Sequence, residues 1–229
     1  MKTVFAVIFC LSLMEWGMTQ TIDNNNSYQI EAYDVRGKAL TARKPNVKGT
    51  PLVTDQWAKA LVVFSDGKRV NMPEVQFNLQ TNELSFSRDG VGYLFAAPVK
   101  EFFLSYTENE QSYTRHFRNG YPPEGKYDEA RFYEVLSIGS RFHFLKVNQK
   151  SLLEEPVYVE GTKKVYKDFE TLYLFDVDRK ATFRIRKELR SIVKAIPEKE
   201  KELQQYVKEN SASIKTEEDI IALVKWLNK

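Results

Sequence analysis

Cysteine is almost absent from this 229-residue sequence, which contains a single one, Cys10. It falls within the first twenty residues, which have the pattern of a removable leader, so the remaining chain would carry no thiol. Disulfide bridges, thiolate metal sites and cysteine nucleophiles are therefore excluded from the mature protein. Its stability has to come from an apolar core, and about 210 residues suffice, since a chain of that size buries roughly 70% of its unfolded surface.

Long hydrophobic runs are missing as well. The apolar run from Val4 to Met14 has eleven residues, whereas a membrane-spanning helix needs roughly 20. It follows the cation Lys2 and precedes a polar stretch that ends at Gln20, and this order is typical of a secretory signal peptide. We therefore predict a leader over residues 1–20 and export to the periplasm or cell envelope. Cys10 lies inside the apolar run rather than after it, which argues against a lipid anchor.

Histidine is scarce, with only His116 and His143 in the sequence. Hydrolytic triads and histidine metal sites need this residue, and the two would bind zinc with a carboxylate only if they met across a sheet. The nucleophile-elbow, phosphate-loop, dinucleotide-binding, zinc-protease and calcium-loop motifs are also absent. We predict no cofactor and no metal, and a non-catalytic protein is the favoured interpretation.

A carboxylate-dependent hydrolase is the remaining catalytic alternative. Glycoside hydrolysis needs two carboxylates that face each other across a cleft at about 5 to 9.5 Å. The acidic candidates are Glu154 and Glu155 in a predicted loop, Glu217, Glu218 and Asp219 in a predicted helix cap, and Glu101 and Glu134 on predicted strands. Each has a simpler structural interpretation, so the hydrolase is the less favoured hypothesis.

Charge of one sign does not dominate either. The formal net charge is +3 and the sequence pI is about 8.7, and charges of both signs are interspersed, so nucleic acid is not a predicted partner. One basic cluster marks the place where the last predicted strand becomes the first predicted helix: Arg184, Arg186, Lys187, Arg190 and Lys194. Such a cluster suits an acidic partner or peripheral contact with anionic lipid head groups. A solvated helix face is the alternative, because Glu188 lies within the cluster.

Alternation of apolar and polar residues is the strongest structural signal that the sequence does have. It predicts strands over residues 75–79 and 83–87, and the Asp-Gly pairs at 66–67 and 89–90 predict hairpin turns. Further strands are predicted over residues 28–33, 61–64, 99–106, 112–117, 132–136, 142–145, 169–175 and 181–185. Their connections are short, so neighbouring strands should be antiparallel. Ten or more short strands favour a curled sheet, a roll or a partly open barrel.

Helical periodicity replaces the strand pattern after Ile185. Pro197 suits the start of a second helix, and Thr216 suits the cap of a third. We therefore predict an α+β protein, mainly antiparallel β, with a C-terminal bundle of two or three short helices. Residues 21–229 form a single domain in this prediction, with a β body over 21–185 and a helical subdomain over 186–229.

Several short segments occur in an order that has a counterpart in known sequences. They are Phe64-Ser65-Asp66-Gly67-Lys68, Val75-Gln76-Phe77-Asn78-Leu79, Glu83-Leu84-Ser85-Phe86, Val99-Lys100-Glu101-Phe102, Phe132-Tyr133-Glu134-Val135-Leu136, Lys167-Asp168-Phe169-Glu170-Thr171-Leu172-Tyr173 and Val224-Lys225-Trp226-Leu227-Asn228. This succession resembles uncharacterised secreted proteins of Bacteroidota over most of the mature chain. The resemblance implies export, and it implies no activity and no site.

Aromatic residues near the proline-containing loop are the second candidate binding site. Tyr106, Tyr113, Phe117 and Tyr121 would form an exposed patch for a partner or a carbohydrate if their rings faced solvent. Core packing and cross-strand pairing are the alternative interpretation.

Three functional hypotheses follow from these patterns. The favoured one is an exported envelope protein of unknown activity that works by binding, in particular to another envelope protein. The second is a small-ligand or lipid carrier with an apolar interior, which a core filled by Phe77, Phe86, Phe95 and Phe144 would contradict. The carboxylate-dependent hydrolase is the third. Substrate, partner and oligomeric state do not follow from the sequence.

Overall fold

Strands dominate the computed structural model of this chain, which describes residues 20–22, 28–30, 32–34, 47–157 and 161–229. The predicted leader therefore lies outside the described residues, except for Gln20. The strands are β1 (Gln20–Ile22), β2 (Tyr28–Ile30), β3 (Ala32–Asp34), β4 (Val47–Lys48), β5 (Ala58–Phe64), β6 (Arg69–Asn78), β7 (Glu83–Arg88), β8 (Val91–Phe95), β9 (Val99–Glu108), β10 (Gln111–Arg118), β11 (Tyr133–Ser137), β12 (Phe142–Val157), β13 (Gly161–Asp176) and β14 (Ala181–Ile185). The helices are α1 (Leu189–Ala195), α2 (Glu200–Asn210) and α3 (Glu217–Leu227), and a 3-10 turn, Pro197–Lys199, precedes α2.

One open sheet runs through most of the described chain, in the order β14-β13-β12-β11-β10-β9-β5-β6-β7-β8-β3. Its neighbouring strands are antiparallel, while β4 adds a short parallel pairing to β13. The predicted α+β class, mainly antiparallel β with short C-terminal helices, is confirmed at this level. Strand β14 is one end of the sheet, so within the described ranges it has a neighbouring strand on one side only.

The two hairpins predicted from Asp-Gly pairs are present. Asp66 accepts a hydrogen bond from the backbone N–H of Lys68 at 2.9 Å in the turn between β5 and β6. In the turn between β7 and β8, Asp89 and Gly90 both have positive φ, at 52° and 75°. Two consecutive residues with positive φ form the tight turn that matches the twist of a hairpin, and Gly adopts that conformation without strain.

The hairpin of β12 and β13 is much longer than the sequence predicts, with sixteen residues in each strand. The prediction that Glu154 and Glu155 lie in a loop is wrong, because both belong to β12. Their carboxylates pair with Lys164 at 3.2 Å and Lys167 at 2.6 Å on β13. Most residues at this end of the hairpin are exposed, with Val165 as a buried exception. Its apolar alternation is therefore weak, and cross-strand pairs of opposite charge support it.

Three apolar clusters fill the fold. The first lies among β5–β10 and includes Phe77, Phe102 and Phe117. The second joins the three helices to the face of β12–β14 that carries Phe144 and Leu174. The third lies on the opposite face of the same strands, and its buried members are Tyr121, Tyr133, Leu145, Val147 and Tyr173. Because strand side chains alternate between faces, the sheet at β11–β13 is covered on both sides.

The C-terminal end of α3 is fixed to the sheet through Asn228. Its side-chain oxygen accepts the backbone N–H groups of Arg141 and Phe142 at 2.9 and 2.8 Å, and its amide donates to the carbonyl of Phe142 at 2.9 Å. Gly139 passes so close to this side chain that a Cβ there would overlap Asn228. The helices are therefore a fixed layer on the sheet. No helix within the described ranges is long and apolar enough to cross a membrane.

Candidate functional site

A basic groove of about 720 Å³ lies between β14 and α1. It is lined by Glu124, Phe183, Arg184, Ile185, Arg186, Glu188, Arg190, Ser191, Lys194 and Ala195. Four of these residues are cations with exposed side chains and two are acids, so the lining has an excess of two positive charges. The structure thus brings together four of the five basic residues that the sequence singles out.

The groove follows the open edge of the sheet. Residues 183–186 are consecutive and all of them line it, although successive side chains of a strand point to opposite faces. A groove that reaches both sets of side chains must run along the strand's edge. Since β14 pairs with β13 on its other side, alternate residues of β14 direct backbone N–H and C=O groups into this groove.

The bend from β14 into α1 gives the groove its width. The backbone N–H of Arg186 donates to the Ser191 hydroxyl at 2.9 Å, which ties the end of the strand to the first turn of the helix. Ile185 and Ile192 are buried in the second cluster, so α1 is held against one side of β14. Arg190 and Lys194 are four residues apart on α1 and therefore lie on one helix face.

The four cations of the groove have no counter-ion in the described part of the chain. None of Arg184, Arg190 or Lys194 makes an ion pair there, and neither does Arg186. Lys187, the fifth predicted residue, behaves differently: it precedes α1 and its ammonium lies 3.4 Å from Glu217 at the start of α3. Lys187 does not line the groove.

The four aromatic residues predicted from the sequence do not form one patch. Phe117 is buried in the first cluster and Tyr121 in the third, at 1% and 3% exposure. Tyr106 and Tyr113 are cross-strand partners whose rings stack with centroids 5.4 Å apart. Two of the four side chains therefore lie in the core, and the other two form a cross-strand pair.

A second groove of about 500 Å³, the aromatic groove, adjoins the first and has three aromatic residues in its lining. Its lining is Glu124, Gly125, Lys126, Tyr127, Gln149, Ser151, Phe169, Thr171, Tyr173 and Arg184. Phe169 is 49% exposed on the face of β13 that also carries Thr171 and Tyr173. Burial raises the pKa of Tyr173 to about 12, so its hydroxyl is neutral. Glu124 and Arg184 line both grooves.

An ionic cluster lies between β10, β11, β12 and α3. The guanidinium of Arg115 binds Glu134 through two hydrogen bonds, at 2.8 and 2.7 Å. Lys146 lies 3.7 Å from Glu134 and 2.9 Å from Glu217. Burial alone would raise the pKa of Glu134, but the hydrogen bonds and charge of Arg115 outweigh it and lower that pKa.

This ionic cluster bears on the hydrolase hypothesis, because two of the acidic candidates converge there. Glu134 and Glu217 both face Lys146, yet each carboxylate is neutralised by a cation. A general acid for glycoside hydrolysis needs a raised pKa, and that of Glu134 is lowered. The arrangement suits a structural tie between the sheet and α3.

The two histidines lie in separate side-chain pairs. His116 is 3.0 Å from the Glu101 carboxylate, and His143 is 3.1 Å from the Tyr121 hydroxyl. Burial lowers the pKa of both imidazoles, so both are neutral at physiological pH. Across the described ranges, no three histidine, cysteine or acidic side chains come together as metal ligands.

The aromatic groove could not be predicted from the sequence because its residues come from distant segments of the chain. Tyr127 belongs to the loop before β11, Gln149 to β12 and Phe169 to β13. The sequence predicts a strand over residues 169–175 without indicating which of its faces is exposed. The available signal was the polar neighbourhood of Phe169, with Asp168 before it and Glu170 after it. No family model, curated protein or solved structure matches this chain.

Proposed function

We propose that this protein is an exported, non-catalytic envelope or periplasmic protein that binds an acidic, extended segment of a partner protein in the groove between β14 and α1. One observation carries the proposal: four cations line the open edge of a sheet and have no counter-ion in the described part of the chain. Export rests on the sequence of residues 1–20, and it agrees with the resemblance to secreted proteins of Bacteroidota.

The strand edge favours a polypeptide as the ligand. An extended segment beside β14 would complete backbone hydrogen bonds that the edge leaves open, which is the recognition mode of strand addition. Its side chains would point alternately toward α1 and toward the side of Arg184 and Glu124. Acidic residues at alternate positions would therefore meet Arg190 and Lys194. Strand β14 has five residues, so the bound segment would be about that long.

A recessed groove suits a protein segment better than a membrane surface. Adsorption to anionic lipid requires cations on a convex or flat surface within reach of many head groups. Here the cations face a channel with Phe183 and Ile185 in its lining. A single extended chain can desolvate that channel, whereas a bilayer touches only its rim.

The packing of the interior argues against the carrier alternative. Phe77 and Phe86 are buried, as is Phe144, and Phe95 packs against the first cluster. The Phe77 ring on β6 lies 5.1 Å from that of Phe102 on β9, although β5 separates these strands in the sheet. We propose a curled sheet because such a contact across β5 requires the sheet to bend over its own core, which these rings fill.

The proposal is tested by selecting binders from a display library of random peptides on the purified protein. Peptides with Asp or Glu at alternate positions should be enriched, and their affinity should fall as salt is raised. In the double variant Arg190→Ala/Lys194→Ala, affinity should fall about tenfold, since each lost cation contributes up to roughly 1 kcal/mol. The matched control, Lys201→Ala/Lys208→Ala, removes two exposed cations of α2 that make no ion pair in the described chain.

Two results would contradict the proposal. One is a set of selected peptides without excess acidic residues. The other is equal affinity for the wild type and for the double variant of α1. Methylation of backbone nitrogens then tests the binding mode. Methyl groups at alternate positions of a selected peptide should abolish binding, because only every second residue of a strand forms backbone hydrogen bonds with a given neighbouring strand. Uniform tolerance of these methyl groups would exclude strand addition while leaving the charge-based proposal intact.

A further inference from the structure

The aromatic groove beside the basic groove has a separate chemistry. Three aromatic residues, Tyr127, Phe169 and Tyr173, line it together with the neutral polar residues Gln149, Ser151 and Thr171. Phe169 is Cα partner of Gln149 across β12 and β13, so an exposed ring and an amide stand next to each other. A ligand here would meet an apolar surface and hydrogen-bonding groups at the same time.

Gln149 is fixed in one orientation. Its side-chain oxygen accepts hydrogen bonds from Lys126 at 3.1 Å and from the Tyr127 hydroxyl at 3.2 Å. The amide nitrogen, which has two N–H donors, makes no hydrogen bond in the described part of the chain. Two satisfied contacts therefore hold a free donor at the wall of the groove, one strand away from the Phe169 ring.

The hydroxyls of the groove add acceptors as well as donors. The side chains of Ser151 and Thr171 make no hydrogen bond within the described ranges, and each hydroxyl can both donate and accept. Together with the amide nitrogen of Gln149, these hydroxyls give the groove unused hydrogen-bonding capacity beside the rings of Phe169 and Tyr127.

From this combination we infer that the groove of Phe169, Tyr173, Tyr127 and Gln149 is a carbohydrate-binding site. A pyranose ring has an apolar face of C–H groups and a rim of hydroxyls that both donate and accept. Its face matches the exposed ring of Phe169, and its rim matches the amide of Gln149 with the hydroxyl of Thr171. The volume of about 500 Å³ lies in the range of small-ligand sites, and the open groove admits part of a longer glycan.

The charges at the rim distinguish this groove from its neighbour. The aromatic groove has two cations in its lining, Lys126 and Arg184, and one acid, Glu124. Its excess is therefore one positive charge, whereas that of the basic groove is two. A neutral saccharide is therefore the expected ligand, and binding should depend weakly on salt. This inference stands apart from the proposal for the basic groove, because Arg190 and Lys194 do not line the aromatic one.

The test is a glycan array probed with the purified, fluorescently labelled protein, followed by titration calorimetry with the glycan that binds best. Phe169→Ala should weaken binding about tenfold or more, because it removes the stacking surface, while Phe169→Tyr should retain binding. Leu153→Ala is the matched control, since it shortens another exposed apolar side chain of the same hairpin outside the groove. The double variant Arg190→Ala/Lys194→Ala should bind the glycan as the wild type does.

Three results would overturn the inference. The array shows no glycan above background, or Phe169→Ala binds as tightly as the wild type, or Leu153→Ala loses as much affinity as Phe169→Ala. Phe169 is exposed, so Phe169→Ala should fold as the wild type does, and an unchanged circular dichroism spectrum checks this.

Discussion

Two groups of charged residues in this protein have opposite arrangements. In the ionic cluster of Arg115, Glu134, Lys146 and Glu217, every charge has a partner within 4 Å. In the basic groove, the four cations have no counter-ion in the described part of the chain. The first group stabilises the fold, whereas the second leaves its charge available to a ligand. Mutations in the cluster should therefore change stability, and mutations in the groove should change binding.

The largest effect is expected for Glu134→Leu. The substitution leaves the half-buried guanidinium of Arg115 without its bidentate partner, the buried carboxylate of Glu134. Breaking a fully buried pair in this way costs about 3–5 kcal/mol, so we expect a loss toward the lower end of that range. Chemical denaturation with urea measures the loss. Glu170→Leu is the matched control, because Glu170 approaches the same Lys146 at 4.0 Å but is 52% exposed, and exposed pairs contribute about 0–1 kcal/mol. Equal losses in the two variants would refute a structural role for the buried cluster.

The second effect is a pH dependence carried by Glu134. Its pKa in the folded state is lowered from the ordinary value of 4.5, so its contribution to stability is present above that value and is lost as pH falls through the folded-state pKa. The difference in free energy of unfolding between wild type and Glu134→Gln should therefore be constant near neutral pH and shrink in acid. Denaturation at a series of pH values checks this, and a difference that grows in acid would contradict it.

Removal of the α3 cap should have a smaller effect. The Thr216 hydroxyl accepts the N–H of Asp219 at 3.1 Å, and the Asp219 carboxylate accepts the N–H of Thr216 at 2.9 Å. Thr216→Ala should lower the free energy of unfolding by about 1 kcal/mol, and Thr216→Ser should restore most of it. A loss of the same size in Thr216→Ser would show that the methyl group, not the cap, matters.

The smallest change in stability is expected for Arg190→Ala/Lys194→Ala. Neither cation makes an ion pair within the described chain, and both are exposed. The free energy of unfolding, measured by thermal denaturation, should therefore change by no more than about 0.5 kcal/mol. A strong destabilisation would mean that these cations support the fold, as Lys146 does. That outcome would remove the contrast between the two groups of charges.

The strands and helices that could be predicted from the sequence are those with one buried face, because such elements have a regular apolar pattern. Strand β14 has the predicted bounds, because the apolar residues Phe183 and Ile185 alternate with the polar residues Thr182 and Arg184 in the sequence. The outer half of β12 and β13 was missed because most of its residues are exposed and its apolar alternation is weak. The apolar pattern of a strand also does not show which residues pack against a given aromatic ring. The burial of Phe117 and Tyr121 could therefore be seen only in the structure.

The cations of the basic groove could be predicted from the sequence because they are close together along the chain. That Lys187 lies apart from the other four could be seen only in the structure. Arg184, Arg190 and Lys194 lie within eleven residues of one another and stay together in space. Lys187 is separated from them because its ammonium pairs with Glu217, thirty residues further along the chain, at 3.4 Å. Distant pairings of this kind do not appear in a local charge pattern.

Photo-cross-linking in the native host tests the central claim most directly. A photoreactive amino acid is placed at position 188, which lines the groove and is exposed, and in a parallel strain at position 112, on the exposed part of β10. We predict that position 188 cross-links to an acidic segment of an envelope protein, and that Arg190→Ala/Lys194→Ala abolishes this product. Cross-links at position 188 that match those at position 112, or that lie in segments without acidic residues, would contradict the proposal.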